Sequence, residues 1–234
     1  MVIPTYNEAA NLPKLAASVM ALNIPGLGLL FVDDNSPDGT AEVAEALGAK
    51  YEGGVSLLRR PDKQGLGPAY RAGFAAALAR GADYVVQMDA DLSHSPEYLP
   101  VFLQKMADYD VVVGSRWTRG GGADGSWGLG RRLLSRGAAA YARLMLGLRV
   151  EDPTTGFKCF RNEALRGLQL ETVGSHGFGF QVEVAFACQC KGYRVAEVPI
   201  IFRSRDEGRS KMSLAIIFEA FWRVIAIRFS RWHV

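Results

Sequence analysis

Residues 85–96 read VVQMDADLSHSP, a short apolar run that stops at two aspartates, Asp89 and Asp91, one residue apart. A run of this length bounded by turn residues reads as a strand buried on both faces. Strand-like runs alternate with helical patterns on either side of it: MVIP then a helix over 8–22, LLFVDD then 38–48, VSLLR then 67–80, YVVQMD then 96–107, and finally DVVVGS. Alternation at that spacing predicts an α/β fold, a mostly parallel sheet flanked by helices on both faces. MVIP carries barely three apolar residues before its turn, against about 5–6 for an ordinary strand, and reads as a chain whose natural start lies upstream.

In such sheets ligands gather beyond the carboxyl ends of the strands. Four of the endings are chemically suggestive: PTYNE after the first strand, DDNSPDGT after the second, DAD after the fourth and GSR after the fifth. Asp, Asn, Ser, Pro and Gly also suit ordinary turns and caps, but four such endings at one edge point to a site. Downstream the alternation fades. TRGGGADGSWGLG, residues 118–130, predicts no regular element and reads as a mobile lid. A helix over 131–147 follows, then the turn-rich EDPTTGFKCFR, a helix over 180–191, a strand YRVAEVPIIF and a helical stretch from about 212.

The bulk numbers narrow the function classes. A chain of 234 residues, 49% hydrophobic, fills a core. Lys plus Arg is 27 against 24 for Asp plus Glu, a net +3 that gives no electrostatic case for nucleic acid. Cys159, Cys188 and Cys190 form no CxxC pair, which argues against a disulfide framework or a zinc site and for a reducing compartment; Cys188 and Cys190 read as buried packing residues. No window reaches the roughly 18 apolar residues of a membrane span.

Asp89 and Asp91 can converge on one hard cation. With no cysteine nearby and only His94 close, the ion suited to them is Mg²⁺ or Mn²⁺, completed by water and phosphate oxygens, so the implied substrate carries a diphosphate. Asp-x-Asp ahead of Pro96 also suits a turn with a helix cap. Asp33 and Asp34 close the second strand in the same way, where a carboxylate accepts from a base or ribose hydroxyl or caps the helix over 38–48. KQGLGPAYRAGF fails as a dinucleotide fingerprint because it follows the third strand and position 70 is tyrosine. Gly65 and Gly67 there permit close backbone approach, and Arg71, one turn in, either reaches a nucleotide or faces solvent.

VIPTYNEAANL, FVDDNSPDGT, KQGLGPAYRAGF, MDADLSHSP, GSRW, DPTTGFKCFR and VEVPIIFRSRDEGRSKM, in this order, resemble the family 2 glycosyltransferases, and among them the polyprenol (dolichol) phosphate mannose synthases. The resemblance runs from about residue 2 to 212. Asp-x-Asp is generic, whereas DDNSPDGT with TTGF and GxSKM is specific to the polyprenyl-phosphate branch. It implies a GT-A (Rossmann-like) fold over 1–212, GDP-mannose as donor, a Mg²⁺ or Mn²⁺ ion, and inverting transfer of mannose to a polyprenyl phosphate lipid on the cytosolic face of a membrane. By position, Pro4, Tyr6, Glu8, Asp33, Asp34, Arg71 and Asp89 would line the donor nucleotide site, and Asp89 and Asp91 would hold the metal. Several relatives carry Gln at the position of Ser93, where it joins the metal shell; the shorter serine leaves that place to water.

The acceptor is then a phosphate monoester with a second pKa near 6, already dianionic at neutral pH, so cations that bring two polyanions together matter more than a general base. Arg116 in GSRW and Arg131, Arg132 and Ser135 in GLGRRLLS are the acceptor-phosphate candidates, with Asp91, Arg116 and Arg131 the catalytic ones; RRLLSR also suits a solvated helix face. Arg203, Arg209, Ser210 and Lys211 form a second basic cluster suited to the donor diphosphate, interrupted by Asp206 and Glu207. Gln181 and Glu183 are candidates to touch the sugar. Residues 213–234 read as an amphipathic helix: Glu219 and Arg223 share a face, while Ile216, Ile217, Phe218, Phe221, Trp222, Val224 and Ile225 cover the rest. That pattern suits a membrane surface or packing on the sheet. Rivals are a UDP-sugar enzyme acting on the same kind of lipid, a nucleotidyltransferase, which lacks its Gly-rich loop and lysine after the first strand, and a non-catalytic nucleotide-binding module.

Overall fold

The computed structural model describes residues 1–170, 173, 177–204 and 214–229, excluding the side chains of 178 and 214–220. The first half alternates as the sequence predicts: β1 (Val2–Thr5), α1 (Leu12–Met20), β2 (Leu29–Asp33), α2 (Thr40–Lys50), β3 (Val55–Arg59), α3 (Leu66–Ala79), β4 (Tyr84–Gln87), a 3₁₀ turn (Pro96–Tyr98) leading into α4 (Leu99–Lys105), and β5 (Val111–Ser115). Then come β6 (Gly122–Ala123), α5 (Leu129–Leu146), β7 (Lys158–Arg161), α6 (Asn162–Gly167), α7 (Gly177–Cys190), β8 (Val195–Pro199), β9 (Ile201–Phe202) and α8 (Leu214–Arg228).

The seven-stranded sheet has the order β3-β2-β1-β4-β7-β5-β8. Neighbours are parallel except β7, which runs antiparallel to both β4 and β5. The order reverses between β1 and β4, so the loops after these two strands flank the crevice where open α/β sheets bind ligands.

Alternate strand residues serve opposite faces, which is why the strands read as unbroken apolar runs. Ile3, Phe31, Val86 and Met88 pack with Leu15, Ala44 and Phe102 of α1, α2 and α4. Val2, Leu30, Val32 and Val85 pack instead with Tyr70, Phe74, Phe180 and Val184 of α3 and α7. Gly73 lets α3 lie this close, since a Cβ there would stand 2.3 Å from Val2 Cγ1. Residues 182–188 of α7 are all buried, so its apolar composition has no polar face to show. A third cluster joins Ala142 and Leu146 of α5, Val182 and Phe186 of α7, and Val224 and Ile227 of α8.

Several expectations are corrected. The turn-rich EDPTTGFKCFR contains β7, hidden because Lys158 and Arg161 interrupt its apolar pattern, and α6 follows it. Residues 118–130 hold β6, paired with β9, and this pairing splits the expected last strand in two. Cys188 is buried as expected, but Cys190 is exposed; two residues apart on a helix, they face different ways. Arg209, Ser210, Lys211, Asp206 and Glu207, the boundary at 212, and the side chains of Ile216, Ile217, Phe218 and Glu219 lie outside the described residues. No helix among the described residues is long and apolar enough to cross a membrane.

Candidate active site

The loops after β1 and β2 are stitched together. Asn7 N donates to Ser36 Oγ (3.1 Å), Glu8 N to Thr40 Oγ1 (2.9 Å) and Ala9 N to Asp38 Oδ2 (3.2 Å). Asn7 and Asn35 turn these loops at φ 60° and 58°, a region asparagine visits at small cost. Asp33 is buried and accepts from Thr5 Oγ1 (3.1 Å), Ser36 N (2.9 Å) and Ser36 Oγ (2.5 Å). Asp34 accepts from the Arg60 guanidinium and from Gln64 N (3.2 Å) and Gly65 N (2.9 Å), which ties β2 to the start of α3. Neither caps α2, whose N-cap is Gly39; Asp38 accepts from Thr40 N, the first residue of the helix, at 3.1 Å. Pro4, Tyr6 and Glu8 are half-buried along this wall. Lys63 Nζ stands 3.6 Å over the Tyr6 ring, and Glu8 Oε2 accepts from Asn11 Nδ2 at 2.7 Å. Arg71 leans the other way and donates to Val173 O at 2.7 Å.

Across the crevice stands the turn after β4. Asp91 is buried, and its Oδ1 accepts from Ser93 N (3.1 Å) and Ser93 Oγ (2.5 Å). Ser93 is thus turned onto the carboxylate, which it orients. Leu92 between them sits at φ 60°, a left-handed conformation that a leucine adopts at a cost of order 1 kcal/mol. Asp89 is 34% exposed. Tyr70 Oη donates to its Oδ1 at 3.4 Å, and Gly156 backs it so closely that a Cβ would lie 2.8 Å from Oδ2 and 2.9 Å from Oδ1. His94 Nδ1 is 3.7 Å from Asp89 Oδ2, beyond hydrogen-bond reach. Its ring lies between Phe157 and Phe202, and burial pushes its pKa down to about 4, so it is neutral at pH 7. Arg203 N donates to Ser93 O at 2.9 Å, which sets Arg203 beside this turn with its side chain 61% exposed.

Beneath Asp89 lies a buried polar group. Gln87 Nε2 donates to Gln181 Oε1 (2.6 Å) and Gly156 O (3.2 Å), while Lys158 Nζ donates to Gln181 Oε1 (2.7 Å) and to Thr155 O. Burial pushes the Lys158 pKa down to about 7. Gln181 and Glu183 are both buried, so the sugar contact expected of them would have to be made from inside the fold.

The acceptor-side candidates divide. Arg116 forks onto Asp152, with Nε to Oδ2 at 2.7 Å and Nη2 to Oδ1 at 2.8 Å, and Nη2 also reaches Thr154 Oγ1 at 2.8 Å. Burial raises the Asp152 pKa, but the charge and hydrogen bonds of Arg116 prevail and hold it below the ordinary carboxylate value. Glu197 of β8 fixes this loop by accepting from Glu151 N (2.8 Å) and Asp152 N (3.1 Å). Arg131 is exposed, its guanidinium 4.1 Å above the Trp127 ring. Arg132 turns back and donates through Nη2 to Ala123 O (2.6 Å) and Asp124 O (2.9 Å), which tethers the 118–130 segment. Ser135 is half-buried one turn along α5.

Among the described residues no three His, Cys, Asp or Glu side chains are grouped as a metal site. The donor set is two carboxylates on one turn, one of them, Asp89, partly exposed, and this fits a hard divalent cation that draws its remaining ligands from water and a diphosphate. Residues 1–168 match the family model described as glycosyl transferase family 2. The chain belongs to glycosyl transferase family 2. It is 42% identical over 231 residues to the undecaprenyl-phosphate mannosyltransferase of Micrococcus luteus, covering 99% of this chain and 92% of that protein. It is 41% identical over 225 residues to the polyprenol monophosphomannose synthase of Mycolicibacterium smegmatis, covering 96% and 84%. In fold it resembles Mycobacterium tuberculosis glucosyl-3-phosphoglycerate synthase, solved with Mn²⁺, UDP and glucosyl-3-phosphoglycerate, with a TM-score of 0.68 and 20% identity over all of this chain and 79% of that one. As a family 2 glycosyltransferase the chain is an enzyme.

Sequence reasoning missed Tyr70, Gln87, Asp152, Lys158 and Glu197. Each is a polar residue whose importance comes from a partner distant in sequence. Gly156 was within reach, since TTGF stands out as a motif.

Proposed function

We propose that this protein transfers mannose from GDP-mannose to a polyprenyl monophosphate, with inversion at the anomeric carbon. The observation that carries the reading is 41–42% identity, over nearly the whole chain, to two proteins named for mannose transfer to, or phosphomannose synthesis on, a polyprenol carrier. The strand-end geometry supports it. Pro4, Tyr6, Glu8, Asp33 and Asp34 form the wall against which the nucleotide lies, with Asp33 and Asp34 acting chiefly by shaping its loops and Arg71 supporting it from α3. Asp89 and Asp91 would hold Mg²⁺ or Mn²⁺, which would neutralise charge growing on the departing diphosphate. Arg203 faces that diphosphate, and Arg209 and Lys211 are assigned there by the sequence resemblance alone.

An acceptor phosphate oxygen attacks the anomeric carbon from the face opposite the nucleotide. The new C–O bond forms as the bond to the diphosphate breaks, GDP departs, and the phosphate monoester becomes a diester. No proton leaves the dianionic acceptor, so no general base is needed. Arg131 offers the acceptor an exposed guanidinium at the start of α5, whose dipole also favours an anion. Arg116 uses three of its five N–H donors within the chain, leaving Nη1 for phosphate. Arg132 and Ser135 serve the same site by fixing the loop and the first turn of the helix.

A lipid acceptor requires a membrane surface. Leu129, Leu133, Leu134 and Leu144 of α5 and Phe221, Trp222 and Phe229 of the α8 region are exposed, Leu129 by 78% and Trp222 by 65%. Tyr141 stacks on Phe221 at 4.6 Å, which makes one apolar face of the two helices. Interfacial docking through that face on the cytosolic side fits a nucleotide-sugar donor and free cysteine thiols.

The test is transfer of radiolabelled mannose from GDP-mannose to a short polyprenyl phosphate, in Mg²⁺ or Mn²⁺ against chelator, with UDP-glucose alongside. Metal-dependent mannolipid is the expected result. Label entering lipid only from UDP-glucose would move the protein to a UDP-sugar donor.

A further inference from the structure

Lys158 is 1% exposed in the middle of the sheet and forms no ion pair among the described residues. A lysine without a counter-charge is an expensive occupant of a core, and an apolar residue in β7 would bury at no such cost. What distinguishes the site is what its polar atoms grip. Gln87 and Lys158 are register partners across β4 and β7, and both side chains meet the single oxygen Gln181 Oε1 of α7, at 2.6 and 2.7 Å. Their remaining bonds go to consecutive carbonyls, Gly156 O from Gln87 and Thr155 O from Lys158. Those carbonyls belong to the peptide whose glycine lies against the Asp89 carboxylate, with no room for a Cβ.

Gln87 itself is the last residue of β4, two residues before Asp89. One buried group therefore ties the base of the Asp89 turn to the backbone that limits where its carboxylate can go. Tyr70 Oη holds the same carboxylate from α3.

We infer that Lys158, Gln181 and Gln87 are positioning residues that clamp the Thr155–Gly156 backbone behind Asp89 and so fix that carboxylate for the cation. This rests on the reading of Asp89 as a cation ligand. Groups behind a metal ligand commonly set affinity by about 10- to 100-fold, so the clamp acts on metal binding and turnover and leaves the acceptor lipid alone.

The test uses the full chain and Mn²⁺ titrated in the presence of GDP, with free Mn²⁺ read by electron paramagnetic resonance. Wild type binds saturably, and Asp89→Asn removes the binding. The double variant Lys158→Met/Gln181→Leu removes both partners together, which spares the core an orphaned charge; it folds and binds Mn²⁺ about tenfold more weakly. Its kcat with GDP-mannose falls while its KM for polyprenyl phosphate stays within about twofold of wild type. Gln181→Glu keeps the accepting oxygen and retains wild-type Mn²⁺ affinity. Gly156→Ala presses on Asp89 without touching the buried polar groups and also loses about tenfold or more, so the test stands even where the double variant melts. A folded double variant or Gly156→Ala with wild-type Mn²⁺ affinity would overturn the clamp alone. Wild-type protein that binds no Mn²⁺ would overturn the cation reading and the clamp together.

Discussion

The two sides of the crevice are built on opposite plans. On the side proposed for the donor, Asp33, Asp34, Asp38 and Asp91 already accept hydrogen bonds from neighbouring amides, hydroxyls or an arginine, so their geometry is set before any substrate arrives. On the side proposed for the acceptor, Arg131 lies over Trp127 in solvent and Leu129, Leu133, Leu134 and Leu144 of α5 face outward. Arg116, held by Asp152, and Arg132, held by the Ala123 and Asp124 carbonyls, share the rigidity of the opposite wall. The difference suits the two ligands proposed: a nucleotide and ion demand fixed ligand positions, whereas a lipid phosphate would bring an apolar chain able to cover the exposed face.

This contrast breaks most sharply at Asp91. Asp91→Asn keeps an oxygen for Ser93 but loses the charge proposed to face the ion, and transfer should fall by about 10³-fold with the melting temperature little changed. Full transfer by that variant would remove the metal from the account. Asp152→Asn tests the Arg116 exception. It leaves the Arg116 guanidinium buried without its counter-charge and should cost about 3 kcal/mol of stability, read from denaturant melts; an unchanged midpoint would show that the pair holds nothing.

A smaller effect sharpens the donor side. The folded pKa of Lys158 is about 7, against 10.5 for the free side chain. Between those values the unfolded chain binds the extra proton, so rising pH favours the folded state. Lys158→Met should therefore gain most over wild type at about pH 6, and that advantage should shrink by about pH 9. An advantage constant with pH would mean that burial does not shift this lysine.

How much was legible in the sequence follows the same divide. The strands β1 to β5, the crevice at their carboxyl ends and the Asp89–Asp91 turn were readable because apolar period and turn chemistry are local signals. Lys158 and Arg161 concealed β7, whose place between β4 and β5 is decided by pairing partners more than 40 residues away in the chain. In the sequence Arg116 and Arg132 read as acceptor-phosphate cations and Arg71 as reaching the nucleotide or solvent, yet each donates to an internal acceptor, and nothing in a string of residues says which arginine will find one. The 118–130 segment looked loose because glycines dominate it; its order comes from β9 and Arg132, both supplied from outside.

The claim that the two polyanions are held by separate sets of residues is tested most directly by the kinetics of Arg131→Ala, with GDP-mannose and polyprenyl phosphate each varied at saturating Mn²⁺. Loss of one charge-assisted contact predicts a KM for the lipid phosphate raised about tenfold, with the KM for GDP-mannose unchanged. Equal rises in both would contradict the division and place Arg131 on the donor.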